Sequence, residues 1–271
     1  MAKNKKENRH CEEGVARRGN PVRFLPGPDG TPEDPGDCHG PAALAMTRDF
    51  STGGNDMFNG YSTETVDFLW GIRFNNNREW FLANKDNYTK YLYHPTKELG
   101  AHLYEPFMDT PGLLCKVSRI YRDARLHPPT PYKESLWICI RRDVEWWADN
   151  PCLYFEINPE GVHYGCFFWH PKPQKMEEFR REITRDPDTF LNLIDQVEKS
   201  TGVTVTANEY KRAKPCEDPR LQRFFNWKDQ IACTVHEDFS EDTFGPGLGD
   251  RVRDFLVNAM PLLDYLSKFG V

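Results

Sequence analysis

The chain has 271 residues, 38% hydrophobic and 13% aromatic, enough for a substantial packed core in one large domain or two small ones. Mean hydropathy is −0.72, and no apolar run approaches the roughly 20 residues of a membrane helix, so no membrane span is expected. A net charge of −6 and a pI near 5.8 argue against a surface built to coat nucleic acid, which favours excess cations.

Met1–His10 is basic but no apolar stretch follows it, so a secretory signal is not expected and the reading is a cytoplasmic protein. Residues 1–56 hold 8 of the 19 glycines, 6 of the 21 prolines, and only Phe24 and Phe50 among the aromatics. Pro26–Gly36 is close to pure turn chemistry. Such a segment buries too little apolar area to offset its ordering entropy, and disorder is expected. A second reading stands beside this one. Gly53-Gly-Asn-Asp-Met57 can be encoded by a purine-rich ribosome-binding element just upstream of an initiator, so Met57 would begin the domain.

Ser62 suits the N-cap of a helix carrying Val66, Leu69, Trp70 and Arg73. A longer helical stretch covers about Asn76–Phe107, with Trp80, Phe81, Tyr88 and Leu92 on its apolar side and Pro95 as a kink or restart. Strand-like runs follow at Cys115–Arg125, Tyr132–Arg142, Cys152–Ile157 and Val162–Trp169. Asn158-Pro-Glu-Gly161 fits a type I turn, which predicts an antiparallel hairpin from the last two. Helices return at Pro173–Thr184 and after the Asp186 N-cap, the second ending before Gly202. Val203–Thr206 and Gln230–His236 read as short strands. The last helix carries Val252, Phe255, Leu256, Ala259, Leu263 and Leu266, with a bend at Pro261. Strands grouped between helices predict an α+β fold: one domain over residues 57–271, its antiparallel sheet of about four to six strands packed by N-terminal and C-terminal helices.

Eight cysteines form no C-x-x-C pair; Cys115, Cys139, Cys152 and Cys166 fall in strand-like stretches and read as small buried hydrophobes, reduced in the cytosol. The histidines show neither H-x-x-x-H nor H-E-x-x-H spacing, and His163 and His170 fall on opposite faces of the fourth strand. No metal site is expected. Neither is a cofactor, since G-x-S-x-G, Walker and G-x-G-x-x-G motifs are absent. Gly245-Pro-Gly-Leu-Gly249 reads as a loop and helix start. Trp137, Trp146, Trp147, Tyr154, Phe155, Tyr164, Phe167, Phe168 and Trp169 read as core between sheet and helices, with Trp146 and Trp147 in the Arg142–Pro151 connection and a base-stacking platform as the minor alternative.

The charge anomaly is Lys116–Arg142: Lys116, Arg119, Arg122, Arg125, Lys133, Arg141 and Arg142 against Asp123 and Glu134, an excess of 7 − 2 = +5. Planar arginine forks suit carboxylates and phosphates. Strand alternation places Arg119, Tyr121, Asp123 and Arg125 on one face and Arg122 on the other. The candidate ligand-binding residues are therefore Arg78, Arg119, Arg122, Arg125 and Lys133. Asp123 or Glu79 would serve as a base, and Tyr132 would orient the ligand. The favoured function is binding of an anionic small molecule bearing phosphate or carboxylate, with an enzymatic reaction left open. The alternative is a non-catalytic protein-interaction module whose Arg/Asp cluster is structural.

Several segments combine into a pattern. Phe58-Asn-Gly-Tyr-Ser, Asn75-Asn-Asn-Arg-Glu-Trp-Phe with Lys85 and Tyr88, Ser118-Arg-Ile-Tyr-Arg-Asp-Ala-Arg with Pro131-Tyr-Lys, and Trp169-His-Pro-Lys-Pro with Arg180 resemble the bacterial domain-of-unknown-function 2461 family. The resemblance runs from Met57 to the C-terminus. It departs at Leu126-His-Pro-Pro-Thr-Pro, where the family usually has an aromatic, lysine-bearing loop. It departs again at Tyr210-Lys-Arg-Ala-Lys-Pro, which is similar to a basic loop of the family but lacks its Gly-Phe element. If those loops set ligand contacts, this chain's ligand differs. The resemblance brings no catalytic residues with it.

Overall fold

The computed structural model describes residues 58–123, 129–145 and 147–270. The expectations for residues 1–56, Arg125 and Trp146 lie outside these.

Helix α1 (Thr63–Phe74) starts at Ser62, whose backbone N–H donates to Thr65 Oγ1 at 3.2 Å, and buries Phe68, Leu69 and Ile72. Helix α2 (Arg78–Ala83) is capped by Asn77, which accepts from the Trp80 N–H at 2.9 Å. A short helical turn leads through a π-helical stretch, Tyr88–Tyr93, into α3 (His94–Tyr104). Of the kink or restart expected at Pro95, the restart is seen: Pro95 lies in the first turn of α3, directly after the wider winding. Proline has no N–H to offer the carbonyl four residues back, and here Thr65 Oγ1 donates to that Tyr91 carbonyl at 2.6 Å. A π turn is a usual way to absorb such a mismatch.

Strands β1 (Leu113–Val117), β2 (Leu136–Arg142), β3 (Cys152–Asn158), β4 (Gly161–Phe168), β5 (Thr206–Glu209) and β6 (Trp227–Asp238) form one sheet in the order β1-β2-β3-β4-β6-β5, every pairing antiparallel. The β3–β4 hairpin closes where expected: Asn158 faces Gly161, and its Oδ1 accepts from the Glu160 and Gly161 N–H groups at 2.9 and 3.1 Å. The long runs expected at Cys115–Arg125 and Tyr132–Arg142 pair over shorter lengths. Beyond Val117 and before Leu136 the two segments meet at an isolated bridge, Tyr121 with Tyr132; at the ladder's end the Trp137 N–H donates to the Ser118 hydroxyl at 2.9 Å, and past the bridge Pro129 and Pro131 supply no ladder donors. Strand β5 begins where its expected span ended, and β6 runs longer than Gln230–His236.

Helices α3, α4 (Pro173–Arg185), α5 (Pro187–Thr201) and α6 (Gly247–Leu266) make up the helical layer, with α6 against β3 and β4; Pro261 does not end α6. The helix-facing positions Leu136, Ile138, Ile140, Leu153, Phe155, Ile157, Val162, Tyr164, Cys166, Phe168, Ile231 and Cys233 are all buried in the core. Each such side chain contributes roughly 1.5–3 kcal/mol by leaving water. Alternation sends Trp137, Tyr154 and Phe167 to the opposite face, with Trp169 beside Phe167, so that part of the expected aromatic core lies outside it.

Candidate functional site

The arginine-rich segment is propped from below. Asn76 clamps the Tyr132 backbone on both sides: its Nδ2 donates to the Tyr132 carbonyl at 2.9 Å, and its Oδ1 accepts from the Tyr132 N–H at 3.0 Å. Phe81 stacks on the Tyr132 ring at 4.2 Å and meets Tyr121 edge-on at 5.6 Å. The two chains exchange backbone bonds from Arg122 N to Pro131 O at 2.9 Å and from Lys133 N to Ile120 O at 2.7 Å. With Ile120 buried, alternation leaves Arg119 exposed, Tyr121 51% exposed and Arg122 half-buried, its Nη1 donating to Thr130 Oγ1 at 3.2 Å. Asp123 is half-buried. Arg78 and Glu79 are exposed in the first turn of α2. Burial raises the Tyr132 phenol, Tyr121 adds to this, and the Arg78 guanidinium opposes it, which places Arg78 in the electrostatic reach of that ring.

Lys133 joins this segment to the sheet face that points away from the helices, its Nζ lying 5.5 Å from the centre of the Trp137 ring. Strand register lays the side chains of that face in rows. Trp137, Glu156, His163 and His236 are directly opposite one another across β2, β3, β4 and β6. The next row is Lys116, Cys139, Tyr154, Gly165 and Thr234, and the one after it Arg141, Cys152, Phe167 and Ala232. Gly165 has φ +148, and a Cβ there would lie 2.1 Å from the Cys233 carbonyl oxygen, so only glycine fits. Cys139, Arg141, Tyr154 and His163 are buried.

Two acid–base groups in the first row are displaced in opposite directions. Burial pushes the Glu156 carboxyl up to about 7, while a hydrogen bond from Ser135 and the charge of Lys133 pull it back. Burial, then His236, push His163 down to about 4; Glu160 and Asp238 oppose them. The His163 and His236 rings lie 4.1 Å apart, with His236 Nδ1 3.0 Å from His163 Nε2, and His236 Nε2 meets Asp238 Oδ1 at 3.1 Å. Near neutral pH a partly protonated carboxyl thus faces a neutral imidazole across β3–β4. That is the pairing a proton donor and acceptor need.

The structure brings Arg78, Tyr121, Arg122, Tyr132 and Lys133 into one neighbourhood. Sequence reasoning missed Glu156, His163 and His236. Their signal was limited to an isolated ionisable residue within each otherwise largely apolar strand of β3 and β4. Their mutual register was not legible, since His163 and His236 are 73 residues apart. Among the described residues no cluster of three or more His, Cys, Asp or Glu is arranged to hold a metal ion, and no helix is long and apolar enough to cross a membrane. Residues 64–265 match the family described as conserved hypothetical protein (DUF2461). Comparison with curated proteins found no match.

Proposed function

We propose a function for a chain that belongs to the domain-of-unknown-function 2461 family: it binds a small anionic molecule on the sheet face opposite the helices. One observation carries this reading. Strands β1 to β4 contain a single carboxylate, Glu156, and direct Lys116 and Arg141 to that same face, with Lys133 at its rim. Glu156 is itself held partly protonated, so the charge that these four strands contribute to the face is mainly positive. Arg141, buried on this face with Nη1 donating to the Arg142 carbonyl at 3.0 Å, is of the residue type that suits a phosphate or carboxylate, and Arg78, Arg119 and Arg122 extend the cationic rim. The reading keeps the protein in the cytoplasm, where the described cysteines, all free thiols, stay reduced. Glu156 and His163 join Asp123, Glu79 and Tyr132 as candidates for proton transfer to or from a bound ligand.

The test is a thermal-shift and calorimetric screen with inorganic phosphate, pyrophosphate, citrate and sugar phosphates at constant ionic strength. A saturable rise in Tm is expected by linkage, and Arg141→Gln and Lys133→Gln should abolish it. If no anion stabilises the protein beyond sodium chloride of equal ionic strength, the binding reading fails and the interaction-module alternative gains.

A further inference from the structure

We propose that the cleft between α4 and the loop after β5 docks an extended acidic segment of a partner protein. It shares no residue with the anion site proposed above, so either reading can fail alone.

The loop Tyr210–Pro215 carries Lys211, Arg212 and Lys214 and no carboxylate, and α4 carries Arg180, Arg181 and Arg185 in its last two turns. Residues of both line a cleft of about 530 Å³, where Arg180, Arg181, Arg185 and Lys214 face one carboxylate, Glu177. This volume lies within the roughly 300–1,000 Å³ of ligand sites. The loop is held in place. The Lys214 N–H donates to Asn226 Oδ1 at 3.2 Å, and its carbonyl accepts from Gln222 Nε2 at 3.0 Å. The Tyr210 ring ties loop to helix, with Lys214 Nζ 4.8 Å and the Arg180 guanidinium 5.6 Å from its centre. Glu177 accepts from Lys214 Nζ at 2.6 Å and from Arg180 Nη1 at 2.9 Å. The Lys214 bond, then the charges of Arg180 and Arg181, hold it below the usual carboxylate range against the cost of burial. A carboxylate is thus already stabilised here.

The kind of partner follows from which cations remain open. Arg180 is buried, and its fork is taken up: besides Glu177, Nε donates to the Phe225 carbonyl at 3.0 Å and Nη2 to the Trp227 carbonyl. It anchors the cleft and offers no fork to a compact phosphate. Arg181, Lys211 and Arg212 are exposed and form no ion pair among the described residues. Arg185 pairs with Glu182 at 2.6 Å but is exposed as well. Arg181 and Arg185 are one helical turn apart, about 5–6 Å between Cβ atoms. Alternate side chains of an extended chain lie on one side at about 6.4–6.8 Å, so carboxylates at every second residue match that spacing. A nucleic acid fits less well. Tyr210 is covered by two cations, Phe225 packs on the core, and the chain's net charge of −6 opposes a long polyanion.

The test titrates a short fluorescein-labelled peptide of alternating aspartate and alanine into the full-length protein and reads anisotropy. Saturable binding is expected, and the double variant Arg181→Gln/Lys214→Gln should weaken it roughly tenfold. Lys85→Gln/Lys199→Gln removes the same charge elsewhere and should leave binding within about twofold. Glu177→Gln should tighten binding by roughly fivefold, because it frees Lys214 and removes the competing carboxylate. A cluster that is only structural would not give opposite signs for Glu177 and Lys214. No saturable binding, equal weakening in the two double variants, or weaker binding in Glu177→Gln overturns the proposal. So does a single-stranded oligonucleotide that displaces the peptide and binds more tightly at equal charge.

Discussion

Along β3, Leu153, Phe155 and Ile157 turn toward the helices while Cys152, Tyr154 and Glu156 turn away, and the two sets are governed by different physics. The first set is apolar and interdigitates with α6 and its neighbours. There burial is its own reward, since every apolar contact excludes water. The second set lies in rows with Arg141, Cys139 and His163, which are buried as well. Burying such groups costs free energy unless partners offset it. Polar groups concentrated on one buried face, with acid–base groups displaced in opposite directions, are the feature on which the proposed ligand site rests.

The largest effect should come from the helix face. Phe155→Ala, at a fully buried position, should cost roughly 3–5 kcal/mol of folding free energy by urea denaturation. A loss below about 1 kcal/mol would mean the two faces are not as distinct in packing as their burial implies.

The other face should reveal itself through pH. Glu156 is raised from 4.5 to about 7 in the fold, so its contribution to stability is full below 4.5 and falls as pH rises toward 7. His163 is lowered from 6.5 to about 4, so its contribution is full above 6.5 and falls as pH drops toward 4. Between 4.5 and 6.5 the two oppose each other, each changing by at most about 1.4 kcal/mol per pH unit. The wild type should be nearly flat over this window. Glu156→Gln leaves the histidine alone, and its stability should rise with pH by about 2 kcal/mol. His163→Gln leaves the carboxyl alone, and its stability should fall by a similar amount. Denaturation curves at three pH values settle the matter; parallel profiles for both variants would refute the opposed pair.

Smaller again is the prop beneath the arginine segment. Asn76→Ala removes both bonds to the Tyr132 backbone and should cost roughly 1–3 kcal/mol. It should also weaken anion binding if Arg122 and Lys133 contribute, because their position depends on that backbone. Unchanged phosphate affinity in a folded Asn76→Ala protein would detach this segment from the site.

What could be read from the sequence was what is local. The Asn158–Gly161 hairpin carries its turn chemistry in four residues. The orientation of the β3 aromatics was not legible: Cys152–Asn158 has no clean alternation of polarity, so Tyr154 and Phe155 looked alike. Nor was the π turn, which depends on Thr65 supplying the donor that Pro95 lacks. The row joining Glu156 to His236 required the β4–β6 register, which is a property of the whole sheet.

The smallest stability effect offers the sharpest comparison, since Arg141 and Arg142 are adjacent in sequence and point to opposite faces. Arg142 forms an ion pair with Asp264 of α6 and donates to the Pro111 carbonyl at 3.0 Å. An exposed pair of this kind contributes about 0–1 kcal/mol, so Arg142→Gln should barely move the denaturation midpoint and should leave phosphate affinity intact. Arg141→Gln removes the same charge one residue away but from the face of Lys116 and Cys139, and phosphate binding should be lost. Long-range attraction falls off within about 10 Å at moderate salt, so the net charge of the two variants cannot by itself separate them. If both lose phosphate equally, the anion responds to overall charge and not to a site, and the division between the two faces has no functional meaning.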